Sequence, residues 1–175
     1  MNGKFKRNLL MSFGASLLIL IISSLASYLS IQSLLSSNEW VNHTQEVIYN
    51  LNEGSGTLLD AQTTVRGYMI TGDEQSLDRF MNAEEKADAY FDKVDVLTQD
   101  NEIQQQNLRE LRPLRNEFFK YLNKRVTDKR NGLPVVAEDL NAGRTLMAGM
   151  RQIFRRMETI EQSLLDQRVA TAKTY

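Results

Sequence analysis

FMNAEEKADAYFDKVDVL, residues 80–97, carries the periodicity on which the fold turns. Phe80, Ala83, Ala87, Tyr90, Val94 and Leu97 recur at alternating spacings of three and four. An α-helix completes a turn every 3.6 residues, so these side chains share one face. A half-buried strand would need apolar residues at every second position, and no window of the chain sustains that pattern. Turn-forming residues close the stretch at both ends. Thr71-Gly72-Asp73 precedes it, with Gly72 suited to the left-handed position after a helix and Asp73 suited to cap the next one. Thr98 to Asn101 follows it, polar and rich in capping types.

Three further stripes flank this one. Leu34, Val41 and Ile48 form one heptad row, and Leu51, Leu58 and Val65 form another, offset by three. Leu108, Leu111, Phe118, Leu122 and Val126 make a third stripe. Leu146, Met150, Ile153, Met157, Ile160 and Leu164 make a fourth, separated from the third by Asn131-Gly132-Leu133-Pro134. Short links between successive helices imply antiparallel neighbours. The expected fold is all-α: an antiparallel up-down-up-down four-helix bundle. Pro113 lies inside the third stripe and predicts a kink, since it removes one backbone donor and crowds the carbonyl of Arg109. Gly54 and Gly56 weaken the first helix, each by up to about 1 kcal/mol relative to Ala.

Upstream of the bundle the chain changes character. From Leu9 to Leu35 there is no charged residue. That run exceeds the roughly 20 helical residues needed to cross a bilayer core. Lys4, Lys6 and Arg7 precede it, and the first charge after it is Glu39. The positive-inside rule puts the N-terminus in the cytoplasm and residues 36 onward outside, with Trp40 near the outer interface. The expected organisation is a cytoplasmic tip at 1–8, a transmembrane helix at 9–35 continuous with the first bundle helix, and an extracytoplasmic bundle at 36–175. A cleaved signal ending at Ser24-Leu25-Ala26 is the rival reading. The apolar pattern continues past it through Tyr28, Leu29, Ile31, Leu34 and Leu35, which favours an anchor.

Composition narrows the chemistry. The 175 residues hold 21 basic and 22 acidic side chains, one His and no Cys. Disulfides, thiolate metal sites and thiol nucleophiles are excluded. Removing the three N-terminal basic residues leaves 18 against 22 acids, a formal −4 for residues 36–175. No nucleic-acid partner is expected from that balance. No phosphate loop, nucleophile elbow or His–Glu zinc motif occurs, and no enzyme activity, cofactor or metal is expected of this segment.

The run Asp60-Ala61-Gln62-Thr63-Thr64-Val65-Arg66-Gly67-Tyr68-Met69-Ile70-Thr71-Gly72-Asp73 resembles the most distinctive stretch of the type-three CHASE domain, a cyclase- and histidine-kinase-associated sensory extracellular domain. The resemblance continues in Leu77, Phe80, Thr98 to Asn101, Gln104 to Leu111, Gly143-Arg144, Glu161, Leu164, Leu165 and Arg168. It implies a helical receptor ectodomain of a bacterial inner-membrane protein, flanked by two spans and followed by a signalling output. A sensor histidine kinase is expected. A chemoreceptor or cyclase ectodomain, or a membrane-tethered protein-binding helical module, is the alternative. The sequence stops at Tyr175 without a second span or an output, so a piece of a longer receptor is expected. A homodimer through the first helix and the membrane segment, responding to a small-molecule or protein cue, is the expected assembly.

The resemblance offers Asp60, Arg66, Gly67, Tyr68, Thr71 and Gly72 as candidate ligand contacts. The plainer reading makes them fold devices: Arg66 pairing with a bundle carboxylate, Tyr68 packing over the turn, Gly67 admitting a close neighbour. Arg109, Arg112 and Arg115 are spaced by three, and Arg144, Arg151 and Arg155 offer a neighbouring basic face for an anionic ligand. The plainer reading is a solvated face paired with Glu110, Glu117 and Glu158. His43, flanked by Glu39 and Glu46, reads as ion pairing or exposure before metal binding. Met147, Met150 and Met157 read as adaptable core. Asp88, Asp92 and Asp95 lie on one flank, and nothing marks them as a catalytic pair.

Overall fold

A computed structural model describes residues 3–134 and 137–173. Helix α1 runs Gly3–Thr71 without interruption, joining the apolar stretch to the first bundle helix as expected. A 3₁₀ turn at Glu74–Leu77 and a short helix α2 at Asp78–Met81 follow. Then come α3 at Ala83–Leu97, α4 at Glu102–Arg130 and α5 at Ala137–Lys173. No strand occurs among the described residues. The chain divides into two compact units, one of Met1–Asn42 with Asp166–Tyr175 and one of His43–Leu165.

The second unit is the bundle. Contacts pair its helices antiparallel. Gln104 meets Glu161, Glu110 meets Arg156, and Tyr121 lies against Gly143, so α4 and α5 run in opposite senses. Gln105, Arg112 and Arg115 meet Asp95, Asp95 and Asp88 in turn, which opposes α3 and α4. Glu53 bonds Tyr90 while Tyr68 bonds Glu74, which opposes α1 to the segment after it. The core holds Leu51, Leu58 and Val65 from α1, Ala87 and Val94 from α3, Leu108, Leu111, Phe118 and Leu122 from α4, and Met150, Ile153 and Met157 from α5. Each large buried side chain contributes about 1.5–3 kcal/mol, so this core outweighs any single cap.

The structure revises the expected stripes in three places. The segment after Asp73 is divided into three pieces. Asp73 does act as a cap, its Oδ1 accepting from the Gln75 amide at 3.1 Å, but it caps the 3₁₀ turn. Asn82, at φ −111° and ψ 9°, leaves helical geometry and ends α2. The tight turn buries Leu77 and brings Phe80 against Phe119, centroids 6.4 Å apart, which one straight helix from Asp73 would not require. Phe91, stacked on Phe154 at 5.7 Å, is buried, whereas Tyr90 is half-buried and donates its hydroxyl to Glu53. The row of Leu34, Val41 and Ile48 stays outside the core, Leu34 being exposed. Pro113 lies within α4 and is exposed together with Arg109, so the carbonyl that loses its donor is on the wet side of the helix.

Within the first unit the apolar side chains of α1 stand out from the chain. Leu10, Ile19, Leu20 and Ile22 are all exposed, in a window of mean hydropathy 2.3 that is long and apolar enough to cross a membrane. The same unit holds Arg168 of α5 over the Trp40 ring, 4.7 Å from its centroid, with its Nη1 donating to the Trp40 carbonyl at 3.3 Å.

Candidate functional site

The turn after α1 is built by its own short-range chemistry. Gly72 adopts φ +70°, a conformation that costs a side chain roughly 1–2 kcal/mol. Its amide donates to the Tyr68 carbonyl at 2.8 Å. The Thr71 hydroxyl donates to the Gly67 carbonyl at 3.0 Å and accepts from the Asp73 amide at 3.2 Å. Tyr68 is buried and donates to Glu74 Oε1 at 2.7 Å. Arg130, in the last turn of α4, grips the same carboxylate with Nε at 3.0 Å and Nη2 at 2.5 Å. The guanidinium and the tyrosyl donor together hold the Glu74 carboxyl down at about 2. The bond to Glu74 in turn pushes the Tyr68 phenol up. Tyr68, Thr71 and Gly72 are thus parts of one turn, locked to α4. Neither Glu74 nor Arg130 was legible as its partner, since a turn residue and a helix end 56 positions apart share no periodicity.

Arg66 and Gly67 behave differently from expectation. Among the described residues Arg66 makes no ion pair, and it is Arg130 that supplies the cation at the turn. A Cβ at Gly67 would meet nothing within 4 Å, so no neighbour needs that glycine. Close approach occurs elsewhere: a Cβ at Gly54 would lie 2.5 Å from the Phe91 ring, and one at Gly143 would lie 2.5 Å from the Tyr121 ring. Asp60 is exposed on α1.

The arginines of α4 are matched by acids. Arg109 pairs with Glu102 at 2.6 Å, Arg112 with Asp95 at 2.5 Å, and Arg115 with Glu84 at 3.3 Å and with Asp88. The acidic flank of α3 is therefore the counter-face of α4. The expected pairings with Glu117 and Glu158 are replaced by these, and Glu110 pairs with Arg156 of α5, which lowers the Glu110 carboxyl. Met147, Met150 and Met157 are buried core residues, as expected. His43 is half-buried on α1.

Arg144, Arg151 and Arg155 form no face with the α4 arginines. They line a cleft of about 900 Å³ between α1 and α5. From α1 the cleft takes Ser55, Leu59, Gln62, Thr63 and Arg66; from α5 it also takes Met147, Phe154 and Glu158. The spacings of seven and four along α5 put its three arginines on one face, as Gln62 and Arg66 are on α1. The Gln62 side chain reaches the Gly143 carbonyl at 3.5 Å, at one end of the cleft. The convergence of Arg66 with the α5 arginines was invisible in sequence, because it depends on the register between two helices far apart in the chain.

A family model described as the CHASE3 domain matches residues 37–171. No curated protein and no solved structure matches the chain.

Proposed function

The chain belongs to the CHASE3 domain family, extracellular sensor domains of signalling receptors, and from that premise we propose that it is the sensory part of a bacterial transmembrane histidine kinase. Residues 9–35 cross the cytoplasmic membrane, and the bundle from residue 36 lies on the periplasmic or extracellular side. The segment performs no catalysis of its own; its work is to bias the helices that lead to a kinase module. The carrying observation is the unbroken course of α1 from Gly3 to Thr71. A helix that is at once a membrane span and a bundle wall passes on rigid-body shifts, because packed helices favour discrete arrangements over smooth deformation. A cue acts only through its differential affinity for two such arrangements, and a tenfold preference corresponds to about 1.4 kcal/mol.

The chain operates as a homodimer through α1. Ser37, half-buried just beyond the apolar stretch, reports on that pairing when changed to Cys in a chain that has none. In the complete receptor, disulfide crosslinking at position 37 is expected to differ between states of high and low autophosphorylation. Equal crosslinking in both states would remove the helix shift, and absence of autophosphorylation under every condition would remove the kinase reading.

A further inference from the structure

Resting on that sensor reading and extending it to the cue, we infer that the cleft between α1 and α5 binds a small organic polyanion, a molecule carrying two or more carboxylate or phosphate groups on a compact body. The bundle is acidic overall, yet the lining of this cleft gathers four arginines and one carboxylate, Glu158, an excess of three positive charges, with Arg155 also reaching the adjoining groove between α4 and α5. The contrast with the remaining arginines is the second observation. Arg109, Arg112, Arg115, Arg125, Arg130 and Arg156 each have a carboxylate within ion-pair distance. Among the described residues of the bundle, the arginines without one are Arg79 and the four of the cleft.

Like charges held together on packed helices repel, and the repulsion falls when an anion enters. Guanidinium forks match carboxylate and phosphate oxygens in bidentate geometry. The buried Met147 and Phe154 give the cleft an apolar floor, which suits an organic body better than a bare ion. Arg66 comes from α1 and the other three from α5, so an anion that bridges them ties the membrane-crossing helix to the last helix of the bundle. That is the differential contact by which a ligand favours one helix arrangement.

Isothermal titration calorimetry on the full chain in nanodiscs, at low ionic strength, tests this with citrate and with inorganic phosphate against matched sodium chloride. Saturable binding of one citrate per chain is expected. The double variant R66Q/R151Q should weaken it on the order of tenfold or more. R79Q, which removes an unpaired arginine outside the cleft, should bind as the parent does. E158Q should bind citrate more tightly than the parent, a gain that no loss of folding could mimic. Citrate should bind more tightly than inorganic phosphate; tighter binding of phosphate would make the cleft a bare-ion site and overturn the organic polyanion. No saturable heat from either probe, or parental affinity in R66Q/R151Q, would overturn the site. That failure leaves crosslinking at position 37 untouched as a test of the sensor reading. State-independent crosslinking alongside intact citrate binding would instead remove the sensor and keep the site.

Discussion

Gly54, Gly56 and Gly67 sit in the interior of one helix, but only the first has a neighbour that needs it. A methyl at Gly54 would press on the Phe91 ring, whereas Gly56 and Gly67 face open space. Overpacking costs about 1–3 kcal/mol, and the gain in helix propensity from Gly to Ala is at most about 1 kcal/mol. G54A is therefore expected to lower stability in urea unfolding followed by far-UV circular dichroism, and G67A to raise it by about 0.5–1 kcal/mol. A lower midpoint for G67A would restore the close approach that the sequence suggested there. The Glu74 carboxyl sits at about 2, below its ordinary value, because Arg130 and Tyr68 donate to its charged form. A group lowered by folding stabilises the fold above its unfolded value and loses that contribution as pH falls toward the folded value. Acid titration should show E74Q lacking a step in stability that the parent loses between about 4.5 and 2. Identical acid limbs for the two proteins would show that the turn network contributes nothing.

The turns that follow α1 and α4, and the one that precedes α4, were legible from local chemistry. Gly72 and Gly132 adopt positive φ after α1 and α4, and Asn101 caps α4 by accepting from the Gln104 amide at 3.2 Å. Such signals act over a few residues, so a single sequence displays them. The break at Asn82 was not legible, because the apolar spacing across it is unbroken and the reason for it is tertiary: Leu77 and Phe80 must reach the core together. The polar interior was equally hidden. Gln104 is buried and donates through Nε2 to Glu161 at 2.8 Å and to the Met157 carbonyl at 3.1 Å, joining α4 to α5. Removing one partner leaves a buried carboxylate short of a donor, which costs on the order of 1–3 kcal/mol. Q104L should destabilise by that amount, and Q104L/E161L should recover much of it in a double-mutant cycle of urea midpoints. Additive losses would show that the two side chains do not depend on each other. Trp40 is the sole tryptophan, so its fluorescence reads the contact with Arg168 directly. R168A should leave Trp40 more open to acrylamide quenching, at a cost of about 0.5–1 kcal/mol for an exposed cation–π pair. Unchanged quenching would place Arg168 elsewhere in solution.

At the scale of the molecule, charge and hydropathy divide the labour. Three basic residues precede an uncharged stretch from Leu9 to Leu35, and the acidic excess falls wholly on residues 36–175. By the positive-inside rule that asymmetry argues for an orientation, and it needs no tertiary information. The cleft could not be read, since Arg66 and Arg151 become neighbours only when α1 and α5 pack in register. The proposed signalling role requires the bundle to lie across the membrane from the basic tip. The chain has no cysteine, so single cysteines at the exposed positions Asn8 and Glu85 can be labelled in intact bacterial cells with a membrane-impermeant maleimide. N8C should stay unlabelled until the membrane is permeabilised, and E85C should label without permeabilisation. Labelling of N8C alone, or protection of both in intact cells, would contradict the placement of the bundle outside the cytoplasm.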